Sequence, residues 1–300
     1  MTSDSTAAEQ DRESASPLEP VPMEAVPPPE RRTRAGRNLP VAVAVGVALA
    51  ALVPLSLYLD KLAFVGLLVV AVSVALWELT NAFRTGQIHI PVVPVLVGAC
   101  AILVSAYAGG SEAMLVALML TMLATMLWRL PEDPRGYVRD VTAGVFATMY
   151  VTFLAAFSAL LLRADDGPDR VVTFVLLTVL SDVGGYAAGV LFGRHPMAPA
   201  VSPKKSWEGF AGSALFSGLG GALSLPLLLG GEPWEGVLVG LAVMSVATLG
   251  DLGESMIKRD LGIKDMGSLL PGHGGVMDRL DSLLLAAPVA YLLLSWLVPA

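Results

Sequence analysis

Apolar residues in this chain come in long unbroken runs, and that spacing restricts the fold more than any other feature. Runs of about 20 residues recur near 39–59, 62–83, 90–108, 112–130, 140–162, 171–193, 207–229, 234–253 and 280–299. A helix of about 20 apolar residues matches the hydrocarbon thickness of a bilayer. In lipid, only helices and closed barrels satisfy their own backbone polar groups. Barrel strands alternate apolar and polar positions, and these runs do not. The expected fold is therefore all-α, a polytopic integral membrane protein with about nine transmembrane helices. Charged residues make up 15% of the 300, against about a quarter in a soluble domain, which excludes a single water-soluble globule.

Residues 1–37 have a different character. They carry six prolines, seven acids and few bulky apolar groups, so they cannot bury enough surface to offset the entropy of ordering. The expectation is a disordered cytoplasmic tail. It lacks the basic start and apolar centre of a cleavable signal peptide. Arg31, Arg32, Arg34 and Arg37 close it, placed to anchor topology or to touch anionic headgroups. With the N-terminus in the cytoplasm, 16 of the 19 Lys and Arg fall on the inner side; only Lys61, Arg163 and Arg170 fall outside. That bias supports nine spans, a cytoplasmic N-terminus and an outer C-terminus. The chain divides into the tail, five N-terminal spans over 38–168, and a C-terminal group of four over 169–300 that carries the chemistry. Cys100 is the single cysteine and lies in an apolar run, so no disulfide framework is implied. The net charge of -7 argues against a basic nucleic-acid-binding protein.

Polar residues gather in three islands on the inner side. The first is 250–282. Asp251 and Glu254 are three apart and Ser255 follows at four from Asp251, so a helix puts them on one face. Asp278 and Asp281 repeat the spacing at the start of the last span. Between them Pro271-Gly272-His273-Gly274-Gly275 is a turn sequence, and a turn ending at a helix start offers free N–H groups to an anion. Lys258, Arg259, Lys264 and Arg279 add positive charge. Carboxylates able to hold hard cations, beside bases and exposed amides, are what phosphoryl or nucleotidyl transfer needs. A plain charged loop explains this poorly, because acids at membrane depth cost about 2.5–3.5 kcal/mol each on insertion scales.

The second island is Asp182, midway along the sixth span and followed by Gly184, Gly185 and Gly189. It reads either as a packing acid or as a cavity-lining one. The third is Ser202-Pro203-Lys204-Lys205-Ser206-Trp207-Glu208-Gly209. Pro203 keeps Ser202 extended, Ser206 can cap the next span, and Glu208 sits where the helix dipole favours an acid. Elsewhere, Trp77 and Glu78 read as interfacial anchors, and His89 and His195 as solitary loop histidines. There is no P-loop, G-x-G-x-x-G, G-x-S-x-G or H-E-x-x-H.

The run Ser255-x-x-Lys258-Arg259-x4-Lys264-Asp265-x5-Pro271-Gly272-His273-Gly274-Gly275-x-x-Asp278-Arg279-x-Asp281 resembles the pattern of the phosphatidate cytidylyltransferase (CDP-diacylglycerol synthase) family. The third island and the Asp182 segment look like that family's other polar stretches. The likeness covers roughly 170–300; the earlier spans are similar only in hydropathy. It implies transfer of CMP from CTP to phosphatidate, giving CDP-diacylglycerol and pyrophosphate. It also implies a Mg²⁺-dependent site, with a second cation left open, in the inner (plasma) membrane and facing the cytoplasm.

On that resemblance, Asp251 and Asp278 would hold the metal, with Asp281 and Glu254 as further ligands or support. Lys258, Arg259 and His273 complete the expected catalytic set. Ser202, Lys204, Lys205 and Ser206 would bind substrate from one side. Lys264, Asp265, Gly274, Gly275 and Arg279 would do so from the other, with Asp182 completing a cavity among the last four spans. Two other readings stand beside this one: a CTP-using transferase or kinase acting on another membrane lipid, and a transporter with a buried ion site. The Gly-rich helices also suit a homodimer.

Overall fold

The computed structural model describes residue 48 and residues 51–270 and 274–299. The expected tail, most of the first expected span and His273 lie outside the described residues.

Seven helices are long and apolar enough to cross a membrane. They are α1 (Lys61–Thr85), α2 (Val92–Trp128), α3 (Tyr137–Arg163), α4 (Gly167–Phe192), α5 (Trp207–Leu229), α6 (Pro233–Asp260) and α7 (Met277–Leu297). Residues 51–59 are also helical. The fold is mostly helical but not wholly so. Pro196–Ala198 (β1) and Ser202–Ser206 (β2) pair as an antiparallel ribbon, where the sequence reads as a loop. The correction has a simple cause. Two short extended segments bring their backbone groups together, and Trp207 closes the ribbon by donating its N–H to His195 O at 3.0 Å.

Two expected spans, 90–108 and 112–130, fall within α2. A straight helix of 37 residues would be about 55 Å long, nearly twice the hydrocarbon thickness. The chain breaks at Gly110, whose φ of 76° and ψ of -162° are not helical. A side chain at Gly98 would collide with Thr121, 23 residues on. The two arms therefore fold back on each other about Gly110, in a conformation that favours glycine. α3 contains a π-helical turn at Thr148–Phe153. α6 starts at Pro233 with a reciprocal Glu232–Glu235 capping box and runs for 28 residues, about 42 Å. That exceeds the roughly 30 Å hydrocarbon thickness, and the last turns of α6 carry Asp251, Glu254, Lys258 and Arg259.

Two buried apolar clusters hold the bundle together. One centres on Leu76, Ile102 and Ala147 from α1, α2 and α3. The other centres on Leu161, Leu177, Val243 and Ala287 from α3, α4, α6 and α7. Small residues bring α4, α5 and α6 close. Gly221 and Gly236 face each other so tightly that a Cβ on either would strike the other's carbonyl. Ser213 and Ser217 of α5 donate to the Ser181 and Leu177 carbonyls of α4 at 2.7 and 3.0 Å, bonds that help hold helices together in lipid. These glycines are used within one chain, which leaves the expected homodimer without the basis that suggested it.

Candidate active site

A cavity of about 470 Å³ opens between β2 and the ends of α4, α5, α6 and α7. Its position follows from local folding. Ser206 caps α5 by accepting the Gly209 N–H at 3.1 Å, and this turns the extended Ser202–Ser206 strand over the mouth. The extension of α6 forms one wall. The first turn of α7 forms another, because the backbone of Gly250 lies against Asp281 O, where a side chain would not fit.

Most of the sequence-derived candidates meet here. Asp182, Ser202, Lys204, Lys205 and Ser206 line the cavity from one side, and Asp251, Lys258, Asp265, Asp278, Arg279 and Asp281 from the other. Lys205 Nζ sits 2.6 Å from Asp251 Oδ2, linking the lysine pair of the strand to the acidic end of α6. Lys258 bridges Glu254 and Asp278, with Nζ 2.9 Å from Asp278 Oδ1. Asp278 Oδ2 also accepts the Gly275 N–H at 2.7 Å, and the Met266 N–H reaches its carboxylate at 3.2 Å. Asp278 therefore holds the connection between α6 and α7 at Met266 and Gly275 as well as facing the cavity. Gly274 adopts a φ of 81°, and a side chain there would press on the Asp278 carboxylate. Gly275 supplies its backbone N–H to that carboxylate, not a free anion cradle.

Besides Gly274 and Gly275, three candidates stand apart from the cavity. Glu254 is fully buried and does not line it, and its Oε1 has no hydrogen-bond partner among the described residues. Arg259 donates to Val201 O at 3.4 Å, steadying the ribbon's turn. Lys264 is exposed on the loop. His273 lies outside the described residues.

Sequence reasoning misread two features. Glu78 is 1% exposed, not an interfacial anchor. Its Oε2 accepts the Met277 N–H at 2.9 Å, at the start of α7. Neighbouring residues on a helix point about 100° apart, so Trp77 faces outward, half-exposed, while Glu78 turns inward. The cue was available: an acid within an apolar helix marks a site by default. His195 is not solitary, since its Nδ1 is 2.6 Å from Glu208 Oε1. Glu208 also accepts the backbone N–H groups of Arg194 and His195, so it ties the ribbon to α5.

Cations, carboxylates and hydroxyls converge here on one cavity in a membrane protein. Fold and site together define a membrane-type helical protein with a polar, charge-lined cavity at its helix ends. The chain belongs to the cytidylyltransferase family, whose model matches residues 40–297. It is 41% identical over 280 residues to the phosphatidate cytidylyltransferase of Mycobacterium leprae, covering 88% of this chain and 90% of that one. It is 39% identical over 283 residues to the enzyme of the same name from Mycobacterium bovis, covering 90% and 92%. A phosphatidate cytidylyltransferase of Brucella suis is 42% identical over 146 residues, covering 47% of this chain and 54% of that one.

Proposed function

We propose that this protein is a phosphatidate cytidylyltransferase, a nucleotidyltransferase that moves CMP from CTP to phosphatidate for phospholipid synthesis. The observation that carries the reading is the cavity itself. It joins Lys204 and Lys205 to the acids of α6 and α7, in a chain alike over nearly its full length to enzymes of that name.

In the reaction, a phosphate oxygen of phosphatidate attacks the α-phosphorus of CTP. The bond from that phosphorus to the bridging oxygen of the β-phosphate breaks, and pyrophosphate leaves. Both reactants are anionic, so alignment and charge neutralisation supply most of the rate. Lys204, Lys205, Lys258 and Arg279 line the space where those charges must meet. The Lys205–Asp251 and Lys258–Asp278 pairs hold two of these cations in place before substrate arrives. Ser202 and Ser206 offer neutral donors on the strand.

The donor chemistry suits Mg²⁺. Asp251, Asp278 and Asp281 present carboxylates to the cavity. Among the described residues, no three His, Cys, Asp or Glu form a ready metal cage. Mg²⁺ is commonly held by one or two carboxylates together with substrate phosphates, which fits such a set. Asp251, Asp278 and Asp281 would hold it, and Glu254 would act from behind through Lys258. Bound there, the ion would supply positive charge to the triphosphate.

The distribution of Lys and Arg supports nine passages, with a cytoplasmic N-terminus and the cavity facing the cytoplasm of the inner membrane. The fold-back of α2 at Gly110 and the helical residues 51–59 are consistent with that count. CTP then enters from water and phosphatidate from the lipid side.

The test is incubation of purified protein with labelled CTP, phosphatidate and Mg²⁺, with chelator as control. Labelled CDP-diacylglycerol and one pyrophosphate per turnover are expected. Labelled product with another lipid but none with phosphatidate would refute the substrate, and CTP left intact with every lipid would refute the enzyme class.

A further inference from the structure

Glu78 lies on α1, outside the last four helices, 199 residues from the amide it accepts. It is 1% exposed, and its Oε1 has no hydrogen-bond partner among the described residues. A buried carboxylate so placed is costly unless something repays it. Two features show what it does. Its Oε2 takes the N–H of Met277 at 2.9 Å. Met277 is the first residue of α7, where amides are otherwise unpaired and the helix dipole favours negative charge. Gly267 and Gly275 also press against the carboxylate so closely that a Cβ on either would overlap it.

The described parts of the connection between α6 and α7, residues 261–270 and 274–276, are thus gripped from two sides. Asp278 holds it through the Met266 and Gly275 amides, and Glu78 fixes the next amide and packs against the loop at Gly267 and Gly275. The loop carries Asp265 into the cavity, and α7 carries Asp278, Arg279 and Asp281. Resting on the cytidylyltransferase reading, we infer that Glu78 is a positioning residue. It sets the loop and the first turn of α7 so that their side chains meet the triphosphate of CTP in register. Glu78 touches no substrate itself. The N-terminal half of the bundle, which the sequence ties to the site only by hydropathy, packs on the loop and α7 through apolar side chains such as Met266 and Met277, and Glu78 adds a hydrogen bond to that contact.

The test compares Glu78→Ala, Glu78→Gln and Gly267→Ala with wild type. It uses steady-state kinetics against each substrate and amide exchange over 261–277. Glu78→Ala should raise KM for CTP and lower kcat by at least ~10-fold, since a displacement of about 1 Å can cost that much or more. KM for phosphatidate should stay unchanged, and the Met277 amide should lose protection. Glu78→Gln keeps an oxygen acceptor and should recover most of both. Gly267→Ala, which displaces the carboxylate from the opposite side, should reproduce the CTP defect even if Glu78→Ala fails to fold. A folded variant with wild-type KM for CTP and a protected Met277 amide would overturn the inference, as would equal loss toward both substrates. If wild type transfers no CMP, the proposed function fails while amide exchange still decides the role of Glu78.

Discussion

Lys258→Met probes the ionic wall of the cavity most directly. Lys258 bridges Glu254 and Asp278, and its side chain keeps only 15% of its exposure. Its two partners fare differently without it. Asp278 retains the Met266 and Gly275 amides. Glu254 is fully buried, with one oxygen already unpartnered among the described residues, so it becomes a stranded charge. Removing one member of a buried pair typically costs 3–5 kcal/mol. Because water can still reach the lysine position from the cavity, the lower end, about 3 kcal/mol, is expected. Neutralising the stranded acid should reverse most of that cost, so Lys258→Met/Glu254→Gln should regain roughly 2 kcal/mol over the single variant. The assay is thermal unfolding of detergent-solubilised protein at fixed lipid and protein concentration, run as a double-mutant cycle. Both variants should lack CMP transfer, because Lys258 faces the reactants. Equal stability of the single variant and wild type, or a double variant no better than the single, would refute the bridging argument.

Asp251→Asn should abolish CMP transfer while leaving membrane insertion and unfolding temperature near wild type; its pair with Lys205 is partly exposed, and such pairs contribute about 0–1 kcal/mol. Gly236→Ala should destabilise by about 1–3 kcal/mol, read as a lower unfolding temperature, because the new methyl meets the Gly221 carbonyl across the α5–α6 contact. Chelator should stop turnover reversibly, with activity returning on added Mg²⁺, and leave the unfolding temperature of substrate-free protein little changed, since no three-acid cage exists among the described residues for the ion to brace.

Much of the architecture was legible because membrane helices announce themselves in one dimension. The seventh expected span, 207–229, coincides with α5, and the second, fifth, sixth and ninth differ from α1, α3, α4 and α7 by only a few residues at either end. The eighth was cut short at 253 because the pattern follows apolarity, whereas α6 continues through seven more residues of largely polar sequence, with Glu254 turned inward and Arg259 and Asp260 exposed. The ribbon at 196–206 was invisible for a related reason: it rests on a few backbone pairings and the Glu208 anchor, not on a period-2 pattern. Glu78 was misjudged because its helix turn points it inward, and nothing local in the sequence states what lies there.

From the sequence alone came the medium and the reagents. Runs of apolar residues require a bilayer whatever the packing, because buried backbone must be satisfied within each helix. Acids and bases at span ends likewise demand a polar cavity, because isolated charges there are too costly. Tertiary structure decided how those charges are spent. It set Lys258 between Glu254 and Asp278, turned Asp278 onto the loop amides, withdrew Glu254 from the cavity and brought Glu78 across from α1. The Lys258–Glu254 pair is local, four residues apart on one helix, but Lys258 meets Asp278 across 20 positions and Glu78 meets Met277 across 199, and only the packed helices determine those contacts.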